Sequence, residues 1–218
     1  MEQVLVVNTE DLKSTIGNKT GLIEFDKKIL DMIETKSYFV NRSEAETDET
    51  KKQIIPYCMV INNDKILAVK RKNPSELRLK DMLSIGIGGH INPVDQGTDT
   101  VSNAAMRELK EETDFSGNVV SQVVGFLSLS DTPVNRVHFG VVYRLEIDAE
   151  VKVIDEGLEG SFVPLTELPK LSDKMEGWSK VLAERVDMST LGYAFKSSTK
   201  QTDGPTSYTF VAEDSKKP

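Results

Sequence analysis

The stretch GIGGHINPVDQGTDTVSNAAMRELKEETDF, from Gly86 to Phe115, decides the fold. Gly86, Gly88 and Gly89 permit a tight turn and a close approach of the backbone to a ligand or ion. The second part of the stretch predicts a helix that opens near Thr98 to Thr100, with Thr98, Asp99 or Thr100 as its N-cap. Val101, Ala104, Ala105 and Leu109 give that helix a narrow apolar stripe suited to packing on a sheet. Positions i, i+3 and i+4 share a helix face, so Glu108, Glu111 and Glu112 converge on another side. Three carboxylates placed together repel one another unless a cation stands between them. Hard oxygen ligands of this kind suit Mg2+ or Mn2+, whereas Zn2+ prefers imidazole and thiolate. A solvated acidic face is the plainer reading of the helix alone. The glycine loop ahead of it favours the metal. Arg107 stands four residues before Glu111 and is placed to pin that side chain.

Upstream of this stretch, IIPYCMVI from Ile54 reads as a strand, Asn62-Asn63-Asp64 as a tight turn and KILAVKR as a returning strand. Pro56 implies that the first strand is an edge or bends there. The loop that follows carries Arg71, Lys72, Arg78 and Lys80, the main basic cluster of an acidic chain. Singly these are solvated surface; together, just before the glycine loop, they suit phosphate. Leu83 to Ile87 reads as a short strand. Nearer the start, Val4 to Val7 is a β-branched run, and Phe25, Ile29, Met32 and Ile33 recur at helical spacing within Ile23 to Ile33. Asn41 to Gln53 is polar and charged and reads as a loop or mobile connector.

Downstream, VVSQVVGFLSLS reads as a strand. VHFGVVYRLEI alternates, with Val137, Phe139, Val141, Tyr143, Leu145 and Ile147 on one face and His138, Val142, Arg144 and Glu146 on the other. That pattern predicts a strand buried on one side only. Asp155 to Gly160 is an acidic loop, and FVPL a short strand. Leu171, Met175, Trp178 and Leu182 predict one helical core stripe. From Ser189 the composition turns to Ser, Thr, Lys and Gly, and the tail reads as partly disordered.

The 218 residues carry a net charge of −8, which argues against general nucleic-acid binding. The lone Cys58 excludes an internal disulfide and lies in a core strand rather than presenting a nucleophile. No apolar run approaches the roughly 20 residues of a membrane span, and the start lacks the features of a secretion signal, so a cytoplasmic protein is expected.

With Gly88-Gly89, Arg107-Glu108-Leu109 and Glu111-Glu112 in view, the chain resembles the MutT-like Nudix hydrolases. Their box is written G-x5-E-x7-R-E-U-x-E-E-x-G-U, with U an aliphatic residue. The REUxEE half matches fully. The box glutamate position, with seven residues between it and Arg107, holds Asp99, and nine residues rather than five then separate it from Gly89. Asp114 stands for the final glycine and Phe115 for the aliphatic. EFDKKILDM, KQIIPY, SELRL and SIGIGGHIN also resemble a bacterial and phage Nudix subgroup with an N-terminal extension.

The resemblance implies an α/β fold, a Nudix-type α/β/α sandwich with a mixed sheet and an N-terminal extension. Residues 1–52 would form the extension packed on the core, 53–188 the Nudix domain with its C-terminal helix, and 189–218 the tail. The implied chemistry is Mg2+-dependent cleavage of a diphosphate linkage in a nucleoside diphosphate derivative or a similar small molecule, with Mn2+ as the alternative ion. The Gly88 carbonyl, Glu108, Glu111, Glu112 and Glu156 would hold the metal, and Glu111 or Glu156 would act as base beside Arg107. Arg71, Arg78, His90 and Arg136 are the candidates for phosphate contacts, and His138 reads as a satisfied strand histidine. A non-catalytic nucleotide-sensing domain is the second reading. An isomerase would need a cysteine near the glycine loop. The N-terminal extension offers a homodimer contact.

Overall fold

The computed structural model describes residues 1–72 and 82–185, together with the strand Ser207–Val211. The chain opens with β1 (Gln3–Asn8), α1 (Thr9–Ile16), β2 (Gly21–Glu24), α2 (Lys27–Lys36), β3 (Tyr38–Asn41) and α3 (Arg42–Ala45). The hairpin β4 (Lys51–Asn62) and β5 (Lys65–Arg71) follows, then β6 (Leu83–Ser84), α4 (Thr100–Glu112) and β7 (Thr113–Phe115). Next come β8 (Asn118–Ser128), α5 (Pro133–Val137), β9 (His138–Ile147), β10 (Val151–Val153) and β11 (Leu158–Pro164). The chain closes with α6 (Leu168–Leu171), α7 (Gly177–Arg185) and β12 (Ser207–Val211). Hydrogen-bonded neighbours in the main sheet follow the order β11-β5-β4-β9-β8-β12, while β7 and β10 make a separate pair. The architecture is a mixed α/β fold, as expected. No helix among the described residues is long and apolar enough to cross a membrane.

The residues fall into two compact units, to which β4, β8 and β9 each contribute on both sides. The first comprises Met1–Cys58, Gly88–Leu109 and Val123–Tyr143. Here β1 pairs antiparallel with β3 and with the start of β4, and Val4, Val6 and Ala45 are wholly buried. Leu12 and Ile16 on α1, with Ile29, Met32 and Ile33 on α2, form apolar stripes at i, i+3 and i+4 that bury together. The helix expected over Ile23 to Ile33 is shorter. Asp26 caps it by accepting from the Lys28 amide at 2.9 Å, and the preceding residues pair as β2 with β8 instead. Phe25 lies beyond the helix and stacks against Phe126, their centroids 6.4 Å apart.

The polar run from Asn41 to Gln53 is a loop only in its middle, with α3 at its start and the first residues of β4 at its end. Arg42 bonds Glu2 and Glu46, and Ala45 is buried. Asp48 accepts from the Thr50 amide at 2.9 Å, and β4 begins at Lys51. Local side-chain bonds of this kind organise a polar segment that has no apolar period.

The second unit comprises Met59–Ile87, Lys110–Gln122 and Arg144–Pro218. In it β11 pairs antiparallel with β5, β12 with the start of β8, and β10 with β7. Asn63, at φ 56, makes the β4–β5 turn that the Asn-Asn-Asp triplet predicts. Ser84 ends β6 early, because its hydroxyl accepts from the Gly86 amide and donates to the Gly86 carbonyl. The stripe from Leu171 to Leu182 is broken by a 3-10 turn at Ser172–Lys174, so Leu171 ends α6, while Trp178 and Leu182 lie on α7. Met175 bridges to Leu83 between them. Of the expected tail, residues 189–206 and 212–218 lie outside the described residues.

β9 departs furthest from its alternating sequence. Val142 is wholly buried, and Arg144 and Glu146 are each 5% exposed. Residues on both faces of the strand are therefore covered, and its charged residues pair with each other, Arg144 with Glu146.

Candidate active site

α4 opens where the sequence places it. The Asp99 carboxylate accepts from the Ser102 amide at 3.1 Å, the bond of an N-cap. Val101, Ala104, Ala105 and Leu109 are all buried, as the stripe predicts, and Met106 joins them. The carboxylates at 108, 111 and 112 occupy the last turn, on other faces of the helix.

Within the first unit the glycine loop is fixed by contact with backbone and carboxylate. A Cβ at Gly88 would stand 2.0 Å from the Pro56 carbonyl oxygen, so only glycine fits. At Gly89 a Cβ would stand 2.5 Å from Oε1 of Glu108, so the missing side chain makes the recess that holds this carboxylate. Arg107 donates from Nη1 to Glu108 Oε1 at 2.8 Å and from Nη2 to the His90 carbonyl at 2.9 Å. It also grips Asp95 with two bonds, Nε to Oδ1 at 2.8 Å and Nη2 to Oδ2 at 2.9 Å. Asp95 is buried, accepts from the Asn92 amide at 2.8 Å, and has its own carbonyl held by Asn103. The hydrogen bonds that Arg107 gives to Asp95, and then to Glu108, raise its pKa above the usual guanidinium range.

Arg107 takes as its partner a different acid from the one at the box position. Counting back from Arg107 across seven intervening residues selects Asp99, but Asp99 serves as the helix cap. Counting forward from Gly89 through five residues reaches Asp95, the acid that Arg107 holds. Four residues lie between Asp95 and the first residue of α4. Asp95 is the site residue that the backward count missed, and the forward count was the signal for it.

His90 and His138 meet in the same unit, Nε2 to Nε2 at 3.4 Å, with Nδ1 of His138 on the Val134 carbonyl at 2.7 Å. Burial, then the charge of Arg42, pushes His90 down to about 4, so its ring is neutral near pH 7 and offers an N–H rather than a charge. Arg136 is paired with Glu49 at 2.7 Å, which occupies its guanidinium.

In the second unit the end of α4 is tied to the acidic loop. The Glu112 carbonyl accepts from the Ile154 amide at 2.9 Å and from Asp155 at 3.4 Å. Asp155 turns the loop by accepting from the Gly157 amide at 2.6 Å, and the Lys72 amide donates to the Gly157 carbonyl at 2.8 Å. Arg71 is paired in register with Leu158. The exposed Glu156 thus sits on a loop fastened to the Glu112 backbone and, through Gly157, to Lys72 at the end of β5. Arg78 lies outside the described residues.

Among the described residues, no group of three or more His, Cys, Asp or Glu side chains is gathered as a metal cluster. The donor chemistry nonetheless fits Mg2+ or Mn2+. Glu108, Glu111 and Glu112 offer hard oxygens from one helix turn, and the Gly89 recess holds the first of them against the loop backbone.

The NUDIX domain family matches the chain over residues 51–186. The crystal structure of Tm1382, a candidate Nudix hydrolase, superposes with a TM-score of 0.73 at 34% identity, covering 84% of this chain and 97% of that one. Protein YmaB of Bacillus subtilis (strain 168) is 26% identical over 198 residues, which span 84% of this chain and 96% of YmaB. A family match over more than half of the residues, with the helix, loop and clamp in place, leads to one assignment: the chain belongs to the Nudix hydrolases, a family of pyrophosphohydrolases.

Proposed function

We propose that this Nudix hydrolase cleaves a diphosphate linkage in a nucleoside diphosphate derivative or similar small molecule, with Mg2+ as its ion and Mn2+ as a substitute. The observation that carries the reading is Glu108 seated against Gly89 and clamped by Arg107, on a helix whose next acids are Glu111 and Glu112. Glu108, Glu111 and Glu112, with the Gly88 carbonyl and Glu156, would hold the ion. When bound, the ion neutralises the diphosphate and makes its water a stronger acid.

Arg107 acts as a positioning residue, since its contacts hold the Glu108 carboxylate and the loop. Glu111 or Glu156 takes a proton from the attacking water as its oxygen bonds to one phosphorus. The bridging P–O bond then breaks, leaving one phosphate on each product. Arg71 and Arg78 contact the phosphates, and His90 contributes a neutral N–H. Arg136 would have to leave Glu49 to join them. The same reading places the protein in the cytoplasm and gives residues 1–52 as surface for a homodimer.

The test is turnover of a diphosphate panel, comprising nucleotides, nucleotide sugars, dinucleotide polyphosphates and capped RNA, with Mg2+ or Mn2+. At least one substrate should be cleaved. Glu112→Gln should slow it by about a hundredfold or more, because a bound ion supplies several kcal/mol of charge stabilisation. Tight binding of a nucleotide without turnover would replace this reading with that of a sensing domain.

A further inference from the structure

We propose that Lys52, with Arg136 beside it, forms a phosphate-binding site in the first unit, apart from the carboxylates of α4. Lys52 lies on β4 and is 8% exposed, and its ammonium reaches the Asn135 carbonyl at 3.2 Å. An ammonium carries three N–H donors and no acceptor, so a single carbonyl leaves it short of partners. Among the described residues no carboxylate forms an ion pair with it. A buried charge is ordinarily paired, because desolvation alone penalises it heavily.

The surroundings gather positive charge in an otherwise acidic chain. Asn135, whose carbonyl holds Lys52, is followed by Arg136, and Glu49 stands three residues before Lys52. Arg136 donates from Nε to Glu49 Oε1 at 2.7 Å, which ties the two segments together beside the ammonium. Of the charges that act on Lys52, those of Lys13 and Arg136 are positive and that of Glu49 is negative. The Glu49 carboxylate is engaged by Arg136, so Lys52 is left without a counter-ion of its own.

This chemistry fits a phosphate better than a carboxylate. The Glu49 carboxylate meets the guanidinium and forms no ion pair with the ammonium. The oxygens of a phosphate are set tetrahedrally, so one ion can accept from both cations at once. The side chains of Arg136 and Glu49 are 39% and 60% exposed, so their bridge faces solvent on the side where an ion would enter. An exposed bridge contributes little, and opening it costs little. Arg136 then exchanges Glu49 for the phosphate, and Lys52 gains the anion it lacks. A free phosphate ion and a phosphoryl group of a substrate share this chemistry.

The test titrates the full chain in metal-free buffer with inorganic phosphate, against chloride at equal ionic strength, by calorimetry and by the 15N resonance of the Lys52 ammonium. Phosphate should bind saturably and move that resonance, and chloride should not. Lys52→Met should weaken phosphate binding by about tenfold or more, the worth of hydrogen bonds to a charged group. Glu49→Gln frees Arg136 and removes the competing carboxylate, so it should tighten binding by about threefold. Phosphate binding no stronger than that of chloride, undiminished binding by Lys52→Met, or weaker binding by Glu49→Gln would each overturn the site. None of these readouts depends on hydrolytic activity. A second arm, which alone rests on the hydrolase reading, uses a diphosphate substrate with Mg2+ to identify the source, and either result upholds the site. Phosphate that raises KM in the wild type but not in Lys52→Met assigns the site to a phosphoryl group of the substrate. Phosphate that binds without changing KM assigns it to the free ion.

Discussion

Arg107 and Asp95 form a two-bond ion pair, at 2.8 and 2.9 Å, between the last turns of α4 and the loop after the paired glycines. The Asp95 side chain is 3% exposed and that of Arg107 22%. Breaking a buried pair by removing one partner leaves the other charge uncompensated. Asp95→Ala should therefore cost about 3 kcal/mol in urea denaturation, and should depress turnover by loosening the loop. Asp99→Ala should cost only about 1 kcal/mol, the worth of a helix cap. Equal losses would contradict the separation of roles.

The two adjacent glycines should respond differently to alanine. At Gly88 the new Cβ meets the Pro56 backbone, which cannot yield without moving β4, so Gly88→Ala should unfold at markedly lower denaturant. At Gly89 it meets the Glu108 carboxylate, a side-chain end that can swing away. Gly89→Ala should remain folded, within about 1–3 kcal/mol of wild type, and lose turnover. A folded, fully active Gly89→Ala protein would show that the recess has no part in the chemistry.

Arg144 and Glu146 pair with both side chains almost wholly covered. Burial lowers the Arg144 pKa and raises that of Glu146, the mark of charges held at a desolvation cost. Glu146→Leu alone should destabilise by about 3 kcal/mol or more, whereas the double change Arg144→Met, Glu146→Leu should be close to neutral. A double-mutant cycle on chemical denaturation reads both values.

Lys52 is 8% exposed, and its ammonium reaches the Asn135 carbonyl at 3.2 Å. Burial lowers its pKa below the ordinary 10.5. Below the folded pKa, the charged side chain is a constant cost. Between the folded pKa and 10.5 the unfolded chain holds the extra proton, so raising the pH favours the folded state. Lys52→Met should thus be the more stable protein near pH 7, and its advantage should shrink as pH rises through that window. Parallel stability curves for the two proteins would contradict this sign.

The box helix was legible because its information is local. The stripe from Val101 to Leu109, a cap among Thr98, Asp99 and Thr100, and the three acids are all set by local spacing, and the structure selects Asp99 as the cap. The β4–β5 hairpin was legible for the same reason, through the Asn62-Asn63-Asp64 turn. The partner of Arg107 was not: Asp95 and Asp99 are both acids within reach along the sequence, and only the folded loop decides between them. β9 reads as half-exposed because charge at 144 and 146 normally signals water. The burial of both its faces, and the pairing of those charges with each other, reverse that meaning.

The sequence by itself determined the family, the helix that carries Glu108, Glu111 and Glu112, and the glycines before it, since each depends on spacing within one turn or loop. The tertiary structure decided which acid clamps Arg107, why Gly89 must lack a side chain, and that His90 meets His138. Those are contacts between residues that the chain separates and only packing brings together.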